Sequence, residues 1–296
     1  MSTLRLTQNV LVDRSVGRLQ LGLSNLARVQ ERLSTGRQLN RPSDSPTDTT
    51  SAMRLRSSLK AVEQHARNAQ DGLGRLGLVD QTLFTVSENI GRAREIALQG
   101  ANTGSLDQNA RNALATELDH IRADLLSQAN TTYLTRPVFG GVTAGSQAFD
   151  ATGTFTGVAG AIPRRVGDDV KVDVSVDGRS VFGDGATSVF AEIEDLATAL
   201  RSGDHAGVQT GLAELGARVS TVANAHANVG AAYKRIEQAE TTLLSRKLDL
   251  TGSLSEVENV DLAEATVDVH LQEVAYQAAL AATARVIQPS LLDFLR

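Results

Sequence analysis

Apolar residues recur along this chain in alternating steps of four and three. From Val208 the series runs through Leu212, Leu215, Val219, Val222, His226, Val229, Tyr233, Ile236, Glu240, Leu243, Lys247, Leu250 and Leu254, and eleven of these fourteen positions are apolar. A seam that repeats every 3.5 residues belongs to a coiled-coil helix. Unbroken, such a helix is about 70 Å long at 1.5 Å per residue. A second series runs from Leu55 through Leu59, Val62, Ala66, Ala69, Leu73, Leu76, Asp80, Leu83, Ser87, Ile90 and Arg94 to Ala97, with ten of thirteen positions apolar. Ser45-Pro46-Thr47-Asp48 predicts its start: Ser45 as N-cap, Pro46 at the first helical position, Asp48 completing a capping box. Gly100, Asn102 and Gly104 supply a stop. A third helix is predicted to open at a Ser-x-x-Gln box, Ser105 to Gln108, and to show Leu114, Leu118, Ile121, Leu125 and Gln128 on one face.

Both ends carry the same spacing. Val12, Val16, Leu19, Leu23, Leu26, Gln30 and Leu33 precede a stop at Gly36, and Leu262, Thr266, Val269, Glu273, Tyr276, Leu280, Thr283 and Ile287 follow it less cleanly. Each end by itself is a thin amphipathic helix without a core. Such a segment is marginal until a partner covers its apolar stripe. Residues 133–189 read differently. Val170, Val172, Val174 and Val176 alternate with polar residues as in a half-buried strand, and Asp177-Gly178 predicts a tight hairpin turn returning through Arg179–Phe182. Four of the seven Phe, Phe139, Phe149, Phe155 and Phe182, lie here and predict a small core of its own.

The fold class expected is mainly α: an elongated rod of long antiparallel helices in a coiled-coil-like bundle, its N- and C-terminal helices paired, with a small β-rich insertion at the far end. The segments are 1–44 and 255–296 as terminal polymerisation helices, 45–132 and 190–254 as the helical rod, and 133–189 as the insertion.

Composition supports thin helical interfaces. Aromatics make up only 3% of 296 residues and Trp is absent, so Ala, Leu and Val carry the packing. Without cysteine there is no disulfide, thiolate metal site or Cys nucleophile. The net charge of -5 argues against a general nucleic-acid binder, and no apolar run is long enough to span a membrane. Arg5, Asp13 and Arg14 interrupt the stretch where a cleaved export signal would need apolar residues, so export by another route is expected. The charge is segregated. Residues 1–41 hold seven arginines against Asp13 and Glu31, while residues 255–296 hold seven carboxylates against Arg285 and Arg296. That complementarity predicts ends lying side by side.

Local matches to catalytic and cofactor motifs dissolve in context. Gly72-Leu73-Gly74-Arg75-Leu76-Gly77 is formally a dinucleotide fingerprint, but it lies inside a helical seam where a strand should precede it. Glu117-Leu118-Asp119-His120 has the spacing of a di-iron ligand pair without the second pair such sites need. His226 falls on a seam, where a hydrogen-bonded polar residue is the ordinary reading. Asp168-Asp169 reads as a solvated turn, and Asn130-Thr131-Thr132 is a formal glycosylation acceptor of the commonly accidental kind. No catalytic constellation, metal site or cofactor site emerges, and an enzyme is not expected. A secreted effector or adhesin binding through residues 142–190 is a further reading of a different class.

Several segments resemble the flagellin superfamily. Leu33-Ser34-Thr35-Gly36 followed by Arg41-Pro42-Ser43-Asp44-Ser45-Pro46 is similar to its Ser-Gly turn and Pro-Ser-Asp-Asp-Pro motif, with Ser45 replacing the second Asp. Ser255-Glu256-Val257-Glu258-Asn259-Val260-Asp261-Leu262-Ala263 is similar to its Ser-x-Ile-Glu-Asp-Ala-Asp-Leu-Ala motif, and Tyr133-Leu134 with Phe139-Gly140-Gly141 to its passage into the β-rich part. The ending Ser290-Leu291-Leu292-Asp293-Phe294-Leu295 resembles the hook-filament junction branch more than the filament-forming one. The resemblance implies a secreted structural part of the bacterial flagellum with no cofactor. It implies assembly with hook-associated protein 1, flagellin and its own copies in a ring, and custody by an export chaperone at the C-terminal segment beforehand. The residues expected at the assembly interface are Val12, Val16, Leu19, Leu23, Leu26, Leu33, Leu262, Val269, Tyr276, Leu280, Ile287, Leu291, Leu292 and Phe294. A flagellin that builds the filament itself is the close alternative.

Overall fold

The computed structural model describes residues 2–102 and 107–287, with side chains described at residue 10 and from 13 to 285 within them. The architecture is mainly α. Among the described residues seven α-helices are present: α1 Ser2–Thr35, α2 Pro46–Ala101, α3 Gln108–Ala129, α4 Gly178–Phe182, α5 Val189–Ser202, α6 His205–Glu258 and α7 Leu262–Ile287. Four short strands, β1 Thr132–Tyr133, β2 Arg136–Pro137, β3 Pro163–Arg165 and β4 Lys171–Asp173, form two antiparallel hairpins.

The chain divides into two compact units. One comprises residues 1–60 with 247–296, the other residues 61–246. In the larger unit the long seams behave as their spacing predicts. On α6, Val208, Leu215, Val222, Val229, Ile236 and Leu243 are all buried, and the intervening seam residues Leu212, Val219, His226, Tyr233 and Glu240 are half-buried. On α2 the buried seam is Val62, Ala69, Leu76, Leu83, Ile90 and Ala97. The helices run antiparallel, since Asp80 pairs with His226 at 2.7 Å while Gly72 lies against Ile236. Two polar seam residues thus satisfy each other, which accounts for His226.

α2 also buries an arc that a single seam does not contain, including Val79, Val86, Ala93 and Ile96. α3 and α5 complete the core through Leu118, Ile121, Leu125, Ile193, Leu196 and Leu200. Ser45 caps α2 by accepting from the Asp48 N–H at 3.3 Å, as expected. At α3 the cap is instead Asp107, accepting from Ala110 N at 2.7 Å. Gln108 is therefore the first helical residue and not the third of a Ser-x-x-Gln box; Ser105 lies outside the described residues. Gly100 terminates α2 less than it admits a neighbour, because a Cβ there would fall 2.3 Å from Leu200 Cδ2.

The β-rich region departs most from expectation. Asp177-Gly178 forms no hairpin turn. Asp177 accepts from Arg179 N at 3.0 Å and caps the short helix α4, which buries Val181 and Phe182. An Asp side chain followed by small Gly suits a helix start as well as a turn, and burial of Phe182 decides between them. The partner of β4 is β3, which precedes it. Phe139, Phe149, Phe155 and Phe182 do cluster, together with Phe190 of α5, at ring-centroid distances of 5.1 to 5.8 Å. They are continuous with the helical core and do not form a separate one.

Arg75 ties this region to α2. Its guanidinium, 4% exposed, donates from Nε to Val174 O at 3.1 Å and from Nη2 to the carbonyls of Pro137 and Val138. Burial lowers its pKa from the ordinary arginine value. The fingerprint-like glycines around it are packing devices: Gly72 meets Ile236 and Val174, and Gly74 meets the Tyr133 hydroxyl. Asn130 is likewise committed. Its Oδ1 accepts from Ala148 N and Phe149 N, and its Nδ2 donates to Leu126 O and Phe149 O. A sequon so engaged is poorly placed to carry a sugar.

Candidate assembly interface

In the smaller unit, α1 and α7 pack against each other. The segments that join them to the rest of the chain are laced together: Val260 N donates to Gly36 O at 3.0 Å and Gln38 N to Glu258 O at 2.7 Å. Gly36, at φ 66, gives the left-handed turn that ends α1. Asp44 then closes the loop before α2, accepting from Arg41 N at 2.8 Å and Asn40 N at 3.1 Å. The Arg41 hydrogen bond, first among several influences, lowers the Asp44 pKa. Glu258, nearly buried, pairs with Arg56 at 2.8 Å.

From this anchor the two helices run antiparallel, with Gly22 against Tyr276 further along. The shielded positions are Ser15, Leu19, Gly22, Leu26, Val29 and Leu33 on α1, and Ala265, Val269, Gln272, Tyr276, Ala279 and Thr283 on α7. Both sets keep the four-three spacing, and their numbers mirror each other about the anchor. Of the expected interface residues, Leu19, Leu26, Leu33, Val269 and Tyr276 lie in this seam. Val16, Leu23, Leu262 and Leu280 stay exposed. Val16, Leu23 and Leu280 each follow a shielded position and border the seam, and Leu262 opens α7. Val12 and Ile287 fall on described backbone, but their side chains lie outside the described set, as do Leu291, Leu292 and Phe294 altogether.

The outer face of α7 is the feature the terminal series missed. Val267, Leu271, Val274, Ala278 and Ala281 again step by four, three, four and three, and all are exposed. At about 100° per residue this stripe lies roughly opposite the seam that meets α1. Val267, Leu271 and Val274 are 66%, 63% and 64% exposed. On α1 the corresponding positions are Gly17, Leu21, Ser24, Arg28 and Glu31, where Leu21, 66% exposed, is the single large apolar side chain. A helix that is apolar on both sides is designed to be buried on both sides. The signal was present in the sequence, as a second series beginning at Val267.

Charge does not lock the pair. Among the described residues no ion pair joins an arginine of α1 to a carboxylate of α7; Arg41 pairs with Glu31, and His270 lies 4.0 Å from Glu273. The ends do lie side by side, yet Arg14, Arg18 and Arg28, with Glu264 and Asp268, remain on the surface. The other chemical candidates find structural partners. Glu117 pairs with Arg92 at 2.7 Å. Asp168 receives Arg246 at 3.0 Å and His65 at 3.5 Å, which lower its pKa in that order. Among the described residues no helix is long and apolar enough to cross a membrane, and no group of three or more His, Cys, Asp or Glu is placed to hold a metal ion.

A thin helical pair whose outer stripe is apolar and exposed is the form of a helical structural protein. The family follows from comparison with known proteins. The bacterial flagellin N-terminal helical region matches residues 12–142 and the bacterial flagellin C-terminal helical region matches residues 212–295. The chain belongs to the bacterial flagellin family and is a structural protein of the flagellum. It is 24% identical over 273 residues to flagellar hook-associated protein 3 of Escherichia coli K12, covering 84% of this chain and 86% of that one. It is 23% identical over 311 residues to flagellin of Bacillus subtilis strain 168, covering 99% and 100%. Among solved structures, FlgL of Bacillus cereus superposes with a TM-score of 0.61 at 22% identity over 68% of this chain and 99% of that one. Hook-associated protein 3 of Legionella pneumophila does so with a TM-score of 0.62 at 15% identity, covering 69% and 98%.

Proposed function

We propose that this chain is a hook-associated protein 3, forming the junction between hook and filament by burying its terminal helix pair among neighbouring copies. The observation that carries the reading is the outer stripe of α7, apolar along its length and uncovered in the single chain. Burial of Val267, Leu271 and Val274 against other copies supplies a driving force on the order of 25 cal/mol per Å².

In this reading the residues expected at the interface divide by role. Leu19, Leu26, Leu33, Val269 and Tyr276 hold the pair together, while Val16, Leu23, Leu262 and Leu280 flank it and meet other subunits. Val12, Ile287, Leu291, Leu292 and Phe294 extend the same surface. The neighbours are hook-associated protein 1 on one side and the first flagellins on the other, with copies of this chain in a ring between them. Before export, a chaperone covers the C-terminal segment in the cytoplasm; the protein then acts outside the cell. A helix with two apolar faces is an aggregation hazard while unassembled, which is the physical need such a chaperone meets.

The deciding experiment is electron microscopy of purified protein added to isolated hooks. Growth confined to hook ends, stopping after a short cap, supports the junction role. The full-length match to a flagellin favours a second reading, a filament subunit, and long filaments grown from the protein by itself would establish that instead. Removal of residues 255–296 abolishes either kind of growth while the unit of residues 61–246 keeps its helical signal.

A further inference from the structure

Among the described residues the most exposed large apolar side chain is Leu134, at 74%. It stands at the tip of the β1–β2 hairpin, in a two-residue turn where Leu134 has φ 48 and Thr135 φ 69. A turn with both central residues left-handed is normally filled by Asn-Gly. Among the described residues, no others except glycines have positive φ. A bulky residue and a β-branched one are strained there, and both are exposed, so burial does not offset the strain. The same unit of residues 61–246 holds a cleft of about 290 Å³, lined by Leu76, Val172, Val176, Val229 and Ala232, with Asp173 and Arg235 exposed at its lips. Knob and cleft lie at one height on opposite sides of α2. Tyr133, beside the knob, sets its hydroxyl over Gly74, whereas Gly72 faces Ile236 and Val174, and Leu76 lines the cleft. At about 100° per residue, Gly74 is directed roughly 160° away from both Gly72 and Leu76.

We infer that copies of this chain stand side by side with Leu134 of one seated in the cleft of the next. The contact rests on the ring of copies proposed above and adds what joins neighbours through residues 61–246. A second copy is the occupant because the chain carries knob and cleft at equal height on opposite flanks. Such a chain repeats the contact without turning over, and a heterologous contact of that kind closes into a ring or continues as a helix. Charge orients the knob. Arg136 follows the turn, exposed and without an ion pair among the described residues, and Asp173 is likewise exposed and unpaired. Arg235 on the other lip repels Arg136, so the hairpin enters with Arg136 toward Asp173. Further like charges are few. Around Gly74 the neighbours on α2 are Gln70, Asp71, Gly77 and Leu78, and Asp71 is held by Arg164 at 2.7 Å. Arg67, seven residues before Gly74, donates to Gln64 at 2.7 Å. Beside the cleft, Asn228, Ala231 and Gln238 are uncharged, and Lys234 is held by Glu237 at 2.6 Å.

The chain has no cysteine, so introduced thiols report the contact directly. Full-length Leu134→Cys and Ala231→Cys proteins are mixed at about 500 µM, as a small interface requires, and oxidised. The mixed disulfide should exceed, by about tenfold or more, that of Leu134→Cys with Ala206→Cys. Ala206 is exposed and lies about 38 Å away along α6. Oxidised Leu134→Cys/Ala231→Cys should give a ladder of dimers, trimers and larger species, because a heterologous contact leaves both ends open. Leu134→Asn/Thr135→Gly relaxes the turn. It should raise the melting temperature of the dilute chain while weakening association in sedimentation by about tenfold or more, as loss of an anchor does. Arg235→Gln should strengthen association and Asp173→Asn weaken it. Disulfide yields no higher than with Ala206→Cys, a ladder that stops at dimers, or a lowered melting temperature in the Asn-Gly variant overturns the inference. Growth on hook ends is scored separately. Caps that form without the Leu134–Ala231 link reject this contact alone, and a ladder from chains that do not grow on hooks rejects the junction role alone.

Discussion

Replacing Leu271 and Val274 by serine tests the role of α7 most directly. Fully burying a Leu or Val side chain is worth about 1.5–3 kcal/mol relative to leaving it exposed. In the single chain these residues are already 63% and 64% exposed, so roughly a third of that value stabilises the isolated fold. The remaining two thirds, about 1–2 kcal/mol per residue, is released only when another copy covers the stripe. Together the two substitutions should weaken assembly by about 2–4 kcal/mol, a rise in critical concentration of roughly 30-fold to 1,000-fold at 1.4 kcal/mol per tenfold. The cost to the isolated chain should stay at about 1–2 kcal/mol, with the unit of residues 61–246 unaffected. Light scattering gives the critical concentration on hook ends, and thermal unfolding at low concentration gives the cost to the monomer. A critical concentration unchanged within about threefold would falsify the assignment of this face to the assembly. So would unfolding of the monomer, which would mean that the stripe is covered within the chain.

Arg75→Met removes a cation that serves three backbone carbonyls in the interior. Stranding them should cost about 2–5 kcal/mol, read as a lower urea midpoint with early loss of amide protection in residues 138–139 and 172–175. Acidification should loosen the β3–β4 turn. The Asp168 pKa is held down by Arg246 and then His65; a carboxylate lowered in the folded state contributes stability above its unfolded value of about 3.9 and loses it as pH falls through the lower folded value. Arg246→Gln should therefore flatten the acid limb of the stability profile. An unchanged limb, measured by urea unfolding between about pH 2 and 6, removes that pair from the account.

The sequence by itself determined the long helices, because a four-three series sustained over a dozen steps has no competing reading as a strand. It fixed the Ser45 cap and the Gly36 stop, since both depend on neighbours in the chain. It also placed the two ends together, through their opposite charge and matching period, although among the described residues no arginine of α1 pairs with a carboxylate of α7. Tertiary structure decided what the local signals left balanced. Asp177-Gly178 can begin a helix or turn a hairpin, and only the burial of Phe182 against Phe139 and Phe190 selects the helix. The fingerprint glycines of α2 made sense only once Ile236, Val174 and Tyr133 stood against them, contacts 59 to 164 residues away in sequence that no window reveals. On α7, hydrophobicity marked the residues that must leave water but not which partner each one meets. Two faces of one helix carry nearly the same series, and geometry alone assigns Val269 and Tyr276 to α1 while leaving Leu271 and Val274 facing outward.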